Sequence, residues 1–211
     1  ATRSILERDD VIVISSVSCI YGIGSPSEYQ KQKMTLFEGD KVIRDDFLKK
    51  LLSIQYDRSD EDFERGDFRV RGDIVEIFPA HEESNIIRIE FFDNEIDQIE
   101  IVDPYGGEIL ESLSKITIYP SSHYVVGEEK LKKAIQTISE ELRERLEELN
   151  RLEKFNEAKR LEQRTLLDIE MLEELGFCSG VENYSRHLTG LPPGAPPPTL
   201  IDYFGDDYLM I

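Results

Sequence analysis

The sequence predicts an α+β protein in which an antiparallel-rich β domain stands between a short α/β segment and a mainly helical stretch. Three observations carry that expectation. Apolar residues alternate with a period of two between Phe68 and Tyr119. They recur at threes and fours from Leu131 onward. An apolar, β-branched tetrapeptide, Val11 to Ile14, precedes both.

Taken in order, the opening "ATRSILERDD" already has a helical pattern. "VIVI" at Val11 to Ile14 has the texture of a strand buried on both faces of a mainly parallel sheet. Loops leaving the carboxyl ends of such strands are where α/β sheets place ligand contacts, so "SSVSCIYGIG" draws notice. Ser25-Pro26-Ser27-Glu28 reads as a capping box with Pro at the first helical position. From about Met34 the texture changes. Arg44 to Ile54 predicts an amphipathic helix with Phe47, Leu48, Leu51 and Leu52 on one side. Strands are expected over Phe68–Val75, Ile86–Phe92, Glu95–Val102 and Lys115–Tyr119, with a tight hairpin at Asp93-Asn94 and a turn over Asp103–Gly107.

After Pro120, Leu131, Ile135, Ile138, Leu142, Leu149 and Leu152 set one face of a long helical segment, expected to break near Asn156 or Arg164 and to stop at Leu175-Gly176. "LPPGAPPPTL" is neither helix nor central strand. Ile201 to Ile211 reads as a return to a sheet. Because helical and strand-like patterns run to the two ends, a piece of a longer protein is the expectation.

Charge narrows the function classes. The chain holds 44 acidic against 25 basic residues, a formal net charge of −19. A balance this acidic argues against indiscriminate binding to nucleic acid or to an anionic membrane, but leaves room for a local basic site. Two distant cysteines, Cys19 and Cys178, fit a reduced, cytoplasmic protein. No apolar run reaches the ~18 residues of a membrane span. No phosphate-binding loop, nucleophile elbow or metal-ligand spacing is present, and His81, His123 and His187 stand isolated. Catalysis by this chain alone therefore has little to stand on.

Within so acidic a sequence, "RGDFRVRGDIVEIF" is unusual. Arg58, Arg65, Arg69, Arg71 and Arg88 are five arginines with no lysine between Ile54 and Phe92. Residues two apart on a strand share a face, so Arg69 and Arg71 are expected side by side in solvent, with Arg88 and Glu90 also outward. Guanidinium forks pair bidentately with carboxylates. Two interpretations stay open: exposed pairs within the chain, each worth ~0–1 kcal/mol, or a docking face for an acidic protein surface. A second candidate is "GFCSGVENYSR" together with Ser16, Ser18 and Tyr21, whose hydroxyls and amides suit sugar and phosphate. Tyr21 and Tyr184 have rings that stack on bases in single-strand binders. The alternative is a plain helix-capping loop with a buried Tyr184 and a structural Glu182.

The segments "SSVSCIYGIGSPSEY", "FERGDFRVRGDIVEIFPA", "RTLLDIEMLEELGFCSGVENYSRHLTG" and "PGAPPPTLIDYF" resemble the UvrB family of bacterial excinuclease ABC components, from Ala1 to Ile211. The Phe63–Pro79 segment also resembles the transcription-repair coupling factor, whereas Val181–Arg186 is particular to UvrB. The resemblance implies a helicase-like ATPase of nucleotide excision repair that takes damaged DNA from UvrA and recruits UvrC. It implies that residues 1–30 are a piece of helicase subdomain 1a, 31–120 the UvrA-binding domain 2, 121–200 the helical subdomain 1b, and 201–211 a return strand to the helicase core. The fold is then α+β, with a β domain inserted into a helicase-like α/β protein.

ATP and magnesium belong to the whole parent; no cofactor is expected for this piece, which lacks the phosphate loop and the Asp-Glu-x-His motif and should be inactive alone. The implied UvrA contacts are Arg58, Arg69, Arg71, Arg88 and Glu90, to which the arginine row adds Arg65. The implied DNA contacts are Ser16, Ser18, Tyr21, Arg164 and Glu182, to which the chemistry of the loop adds Asn183 and Tyr184.

Overall fold

The computed structural model describes residues 1–20, 22–205 and 207–211. Its helices are α1 (Thr2–Glu7), α2 (Pro26–Lys31), α3 (Arg44–Ser53), α4 (Glu128–Arg151), α5 (Phe155–Leu175) and α6 (Ser185–Thr189). Its strands are β1 (Met34–Phe37), β2 (Asp57–Arg58), β3 (Asp67–Arg71), β4 (Ile74–Ile77), β5 (Ile86–Phe92), β6 (Glu95–Val102), β7 (Ile109–Ser112) and β8 (Lys115–Ile118). The chain divides into two compact units, one of Ala1–Val11 with Tyr29–His123, the other of Ile12–Glu28 with Tyr124–Ile211.

The first unit is built on a six-stranded sheet in the order β2-β3-β4-β5-β6-β7, antiparallel except for the short β2–β3 pair. Strands β1 and β8 form a separate antiparallel ribbon, in which the Thr35 and Thr117 hydroxyls meet at 3.1 Å. The continuous strand expected over Phe68–Val75 is instead a hairpin. Gly72 takes a left-handed φ of +64° between β3 and β4, a conformation that glycine adopts without steric cost. This turn governs everything on the sheet's outer face. The Asp93-Asn94 hairpin forms as expected, with Asp93 itself at φ +59°.

One face of the sheet is apolar. Phe68, Val75, Ile77, Ile87, Ile89 and Ile99 are buried there, and Phe47 of α3 meets Phe91 at a ring distance of 5.7 Å. Helix α3 buries Phe47 and Leu51, while Leu52 is exposed, so the expected apolar side is narrower by that residue. Truncating one of the buried isoleucines to Ala should cost about 2–5 kcal/mol.

The second unit is a helical hairpin with a cap. Ala134, Ile138, Ile169, Leu172, Cys178, Val181 and Leu188 form its core. Helices α4 and α5 part at Leu152–Lys154, where Glu153 takes φ +57°. The break therefore falls slightly before the expected Asn156, and it turns Leu152 out to solvent instead of into the predicted face. Gly176 ends α5 in the left-handed region, its N–H donating to Leu172 O at 3.0 Å, as the Leu175-Gly176 stop predicts. Gly22 packs so tightly on Pro197 that a Cβ would come within 2.8 Å of that ring. Beside it Ile23 N–H donates to Pro198 O at 2.7 Å, so the proline stretch is fixed by backbone contact.

Two expected strands are not formed among the described residues. Val11–Ile14 has no ladder partner among the described residues, and Ile12 and Ile14 are 91% and 94% exposed. Ile201–Ile211 opens with a 3-10 turn over Leu200–Tyr203, closed by a Thr199–Asp202 capping box, and Leu209 and Ile211 lie exposed. Strand texture in a sequence reports affinity for a sheet. It becomes a strand only where neighbouring backbone takes up its N–H and C=O groups.

Candidate docking face and nucleic-acid loop

The tight turn at Gly72-Asp73 sets Arg69 opposite Glu76 across β3 and β4. The next two registers place Glu76 opposite Arg88 and Arg88 opposite Glu100. Side chains directly opposite on one face lie about 4.5–5.5 Å apart at Cβ. The result is a row of alternating charge across four strands, Arg69–Glu76–Arg88–Glu100, on the face turned away from α3.

The pairing in this row is close. Arg69 Nε donates to Glu76 Oε2 at 2.6 Å. Arg88 donates to Glu76 Oε1 through Nε at 3.1 Å and Nη2 at 2.9 Å. Arg88 Nη1 reaches Glu100 Oε2 at 3.9 Å. Side-chain exposure is 5% for Glu76, 16% for Arg69 and 21% for Arg88. Burial alone would raise the Glu76 pKa, but the hydrogen bonds and charges of Arg69 and Arg88 outweigh it and hold the carboxyl below its usual range. Phe63 covers the row from one side, its ring 4.3 Å from the Arg69 guanidinium carbon, a cation–π contact. Phe78 in turn backs Phe63 at 5.9 Å.

The arginines are therefore not one row in solvent. Arg69 and Arg88, expected outward in solvent, are half-buried and tied to Glu76. The physical reason is the unanticipated hairpin, which brought a glutamate of β4 between them. Arg71 and Arg65 are exposed and form no ion pair among the described residues. Arg58 is exposed and reaches Asp60 at 3.6 Å. Its register partner is Phe68, so it sits in the row of the apolar face and not in that of Arg69. Glu90 stands in the row of Ile74 and Gln98, on the same face as Arg88 and partly exposed. Arg71, Arg69, Arg88 and Glu90 thus share one face, from which Arg58 is separated.

In the helical unit, the segment after α5 folds as a 3-10 turn, Val181–Tyr184, leading into α6. Gly180 at φ +79° opens it, and both the backbone N–H and the side-chain amide of Asn183 donate to Gly180 O at 2.9 Å. Tyr184 donates its hydroxyl to Asp168 Oδ2 at 2.7 Å, and its ring packs on the helical core. Burial, and then Asp168, push the Tyr184 pKa up to about 12. The ring expected to stack on bases is thereby engaged within the chain. Glu182 and Asn183 are exposed, and Arg164, 70% exposed at its side chain, reaches Asp168 at 3.9 Å. Ser16 and Ser18 are exposed and their hydroxyls bond to one another. Tyr21 lies outside the described residues.

Sequence reasoning missed Glu76, Phe63 and Asp168, the three residues that hold the others. The signal for Glu76 was present, a charge between Val75 and Ile77 whose parity matches the arginines once the Gly72 turn is recognised. Asp168 gave no such signal, being one acid among many on α5. Among the described residues no group of three or more His, Cys, Asp and Glu converges as a metal site requires, and no helix is long and apolar enough to cross a membrane. Cys19 and Cys178 are both free thiols.

Comparison with known families gives two matches, the UvrB interaction domain over residues 34–124 and the UvrB third helical domain over residues 129–190. Over 211 residues the chain is 51% identical to the UvrABC system protein B of Burkholderia mallei. It is 55% identical to that of Geobacillus kaustophilus and 56% identical to that of Staphylococcus saprophyticus. All of this chain is covered in each case, but only 30–32% of the relative, so the chain spans about a third of the length of these proteins.

Proposed function

The chain belongs to the UvrB family, and from that premise we propose that its β unit is a docking platform for UvrA in nucleotide excision repair. The observation that carries this reading is the guanidinium presentation on the ladder face. Arg69 is held through Nε, and its two terminal nitrogens donate no hydrogen bond among the described residues. Arg71 stands exposed on the same face. A fork fixed at its base, with its terminal donors unspent, binds a partner's carboxylate with little ordering cost. The coupling-factor alternative is not favoured, because both matched domains and the relatives carry the UvrB name.

Arg71, Glu90 and the free tip of Arg69 form the core of this contact, with Arg88 behind them. Arg58 and Arg65 belong to its margin. Calorimetry of the protein with UvrA tests the assignment: Arg71→Glu should weaken binding more than tenfold while leaving the melting temperature unchanged, since exposed substitutions stay within about 0.5 kcal/mol. Equal affinity of the two proteins would remove the reading.

In the helical unit the proposed contacts to damaged DNA are Ser16, Ser18, Tyr21, Arg164, Glu182 and Asn183, with Tyr184 supporting from beneath. Residues 1–30 and 201–211 are assigned to the helicase-like subdomain, and recruitment of UvrC, ATP use and a cytoplasmic setting belong to the protein as a whole.

A further inference from the structure

We propose that Glu76 is the positioning residue of the docking face, setting the orientation of both Arg69 and Arg88 without itself touching the partner. The inference rests on the docking reading above and deepens it. Glu76 lies at the centre of the row with 5% of its side chain exposed, so a partner surface cannot reach it. Each of its oxygens serves a different arginine: Oε2 takes Arg69 Nε, and Oε1 takes Arg88 Nε and Nη2.

The consequence for the two arginines is unequal. Arg88 spends its fork on Glu76 and has Nη1 turned toward Glu100 at 3.9 Å. Arg69 is gripped only at Nε and stacked on Phe63, which leaves Nη1 and Nη2 as a pair of donors. A carboxylate on a partner protein needs just such a pair for bidentate binding. Long arginine side chains otherwise lose rotamer entropy when they are fixed. Glu76 and Phe63 have already fixed this one. The ligand class is accordingly a surface carboxylate of an acidic protein, and the specificity comes from where Glu76 aims the fork.

A shape-preserving variant separates positioning from folding. Glu76→Gln keeps the volume but replaces one of the two acceptor oxygens with an amide NH₂ donor, so one guanidinium group loses its acceptor. Its affinity for UvrA should fall about tenfold, the scale of coupling between contacting residues, while an unchanged circular-dichroism spectrum at the binding temperature excludes loss of the fold. The decisive readout is a double-mutant cycle. In an Arg69→Gln, Arg88→Gln background, Glu76→Gln should have no further effect on UvrA affinity, because there is nothing left to aim. Full affinity of Glu76→Gln overturns the inference, and so does an equal loss in both backgrounds. Arg71→Glu, run alongside, keeps the two claims distinct. If it weakens binding and Glu76→Gln does not, only the positioning role falls; if neither does, the docking reading falls with it.

Discussion

The two units carry their conspicuous charges in opposite ways. In the β unit the register of three consecutive hairpin pairings welds Arg69, Glu76, Arg88 and Glu100 into one half-buried row. In the helical unit Arg164, Glu182 and Asn183 sit on a loop and a helix surface, each held by one contact or none that constrains its tip. A sheet fixes the separation of neighbouring side chains through backbone hydrogen bonds. A loop leaves its side chains to be ordered on contact. The first arrangement suits a partner of fixed shape, and the second suits a flexible strand that is bound in many sequences.

The largest test of this contrast is Glu76→Ala. Removing the shared carboxylate leaves two guanidinium groups on a largely buried face, and breaking such an arrangement costs about 3–5 kcal/mol. Partial exposure of both arginines places the expectation at the lower end, read as a shift in the urea midpoint. A loss below about 1 kcal/mol, the scale of an exposed pair, would mean that the row is held by its backbone alone.

Tyr184→Phe comes next. It deprives the buried Asp168 of a hydroxyl donor, and a hydrogen bond to a charged group is worth about 1.5–3 kcal/mol. The same denaturation should show a loss within that range, whereas Arg164→Ala, at an exposed position, should move stability by less than about 0.5 kcal/mol. Equal effects of the two would erase the distinction between supporting and presenting residues in the loop.

Acid stability gives a smaller signal. The folded-state pKa of Glu76 is held below its ordinary 4.5. The row's contribution is therefore fully present above about pH 4.5 and is lost as pH falls through the folded value. Glu76→Gln should flatten that acid limb in a pH series of melts. His187 provides the smallest effect. It faces Thr137 at 2.8 Å and Glu141 at 2.8 Å, with Arg186 adjacent, and burial followed by Arg186 holds its pKa below 6.5. Its contribution is present above about pH 6.5 and fades as pH falls through the lowered value. Imidazole chemical shifts should place the midpoint below 6.5.

The architecture was largely legible in the sequence because its signals are local. The Asp93-Asn94 hairpin, the Gly176 stop and the apolar stripes of β5, β6 and α4 all follow from residue type at fixed spacing. The outer face of the sheet was not legible, and one residue explains why. Treating Gly72 as part of a strand left Arg69 with no residue opposite it; seen as a turn, it sets Glu76 of β4 between Arg69 and Arg88. Val11–Ile14 failed for a related reason, since β texture predicts a strand only when another strand receives it. Asp168 and Phe63 were hidden because each acts on a side chain outside its own element, Tyr184 for the first and Arg69 for the second.

The ladder has one more consequence. Its two arginines and two glutamates sum to a formal charge of zero within a chain of −19. Seen from beyond a Debye length of about 8 Å, these four side chains together contribute no net charge to the field. Only a surface already touching it meets the alternating sign. The row is silent at range, and its pattern of charge is felt only at contact.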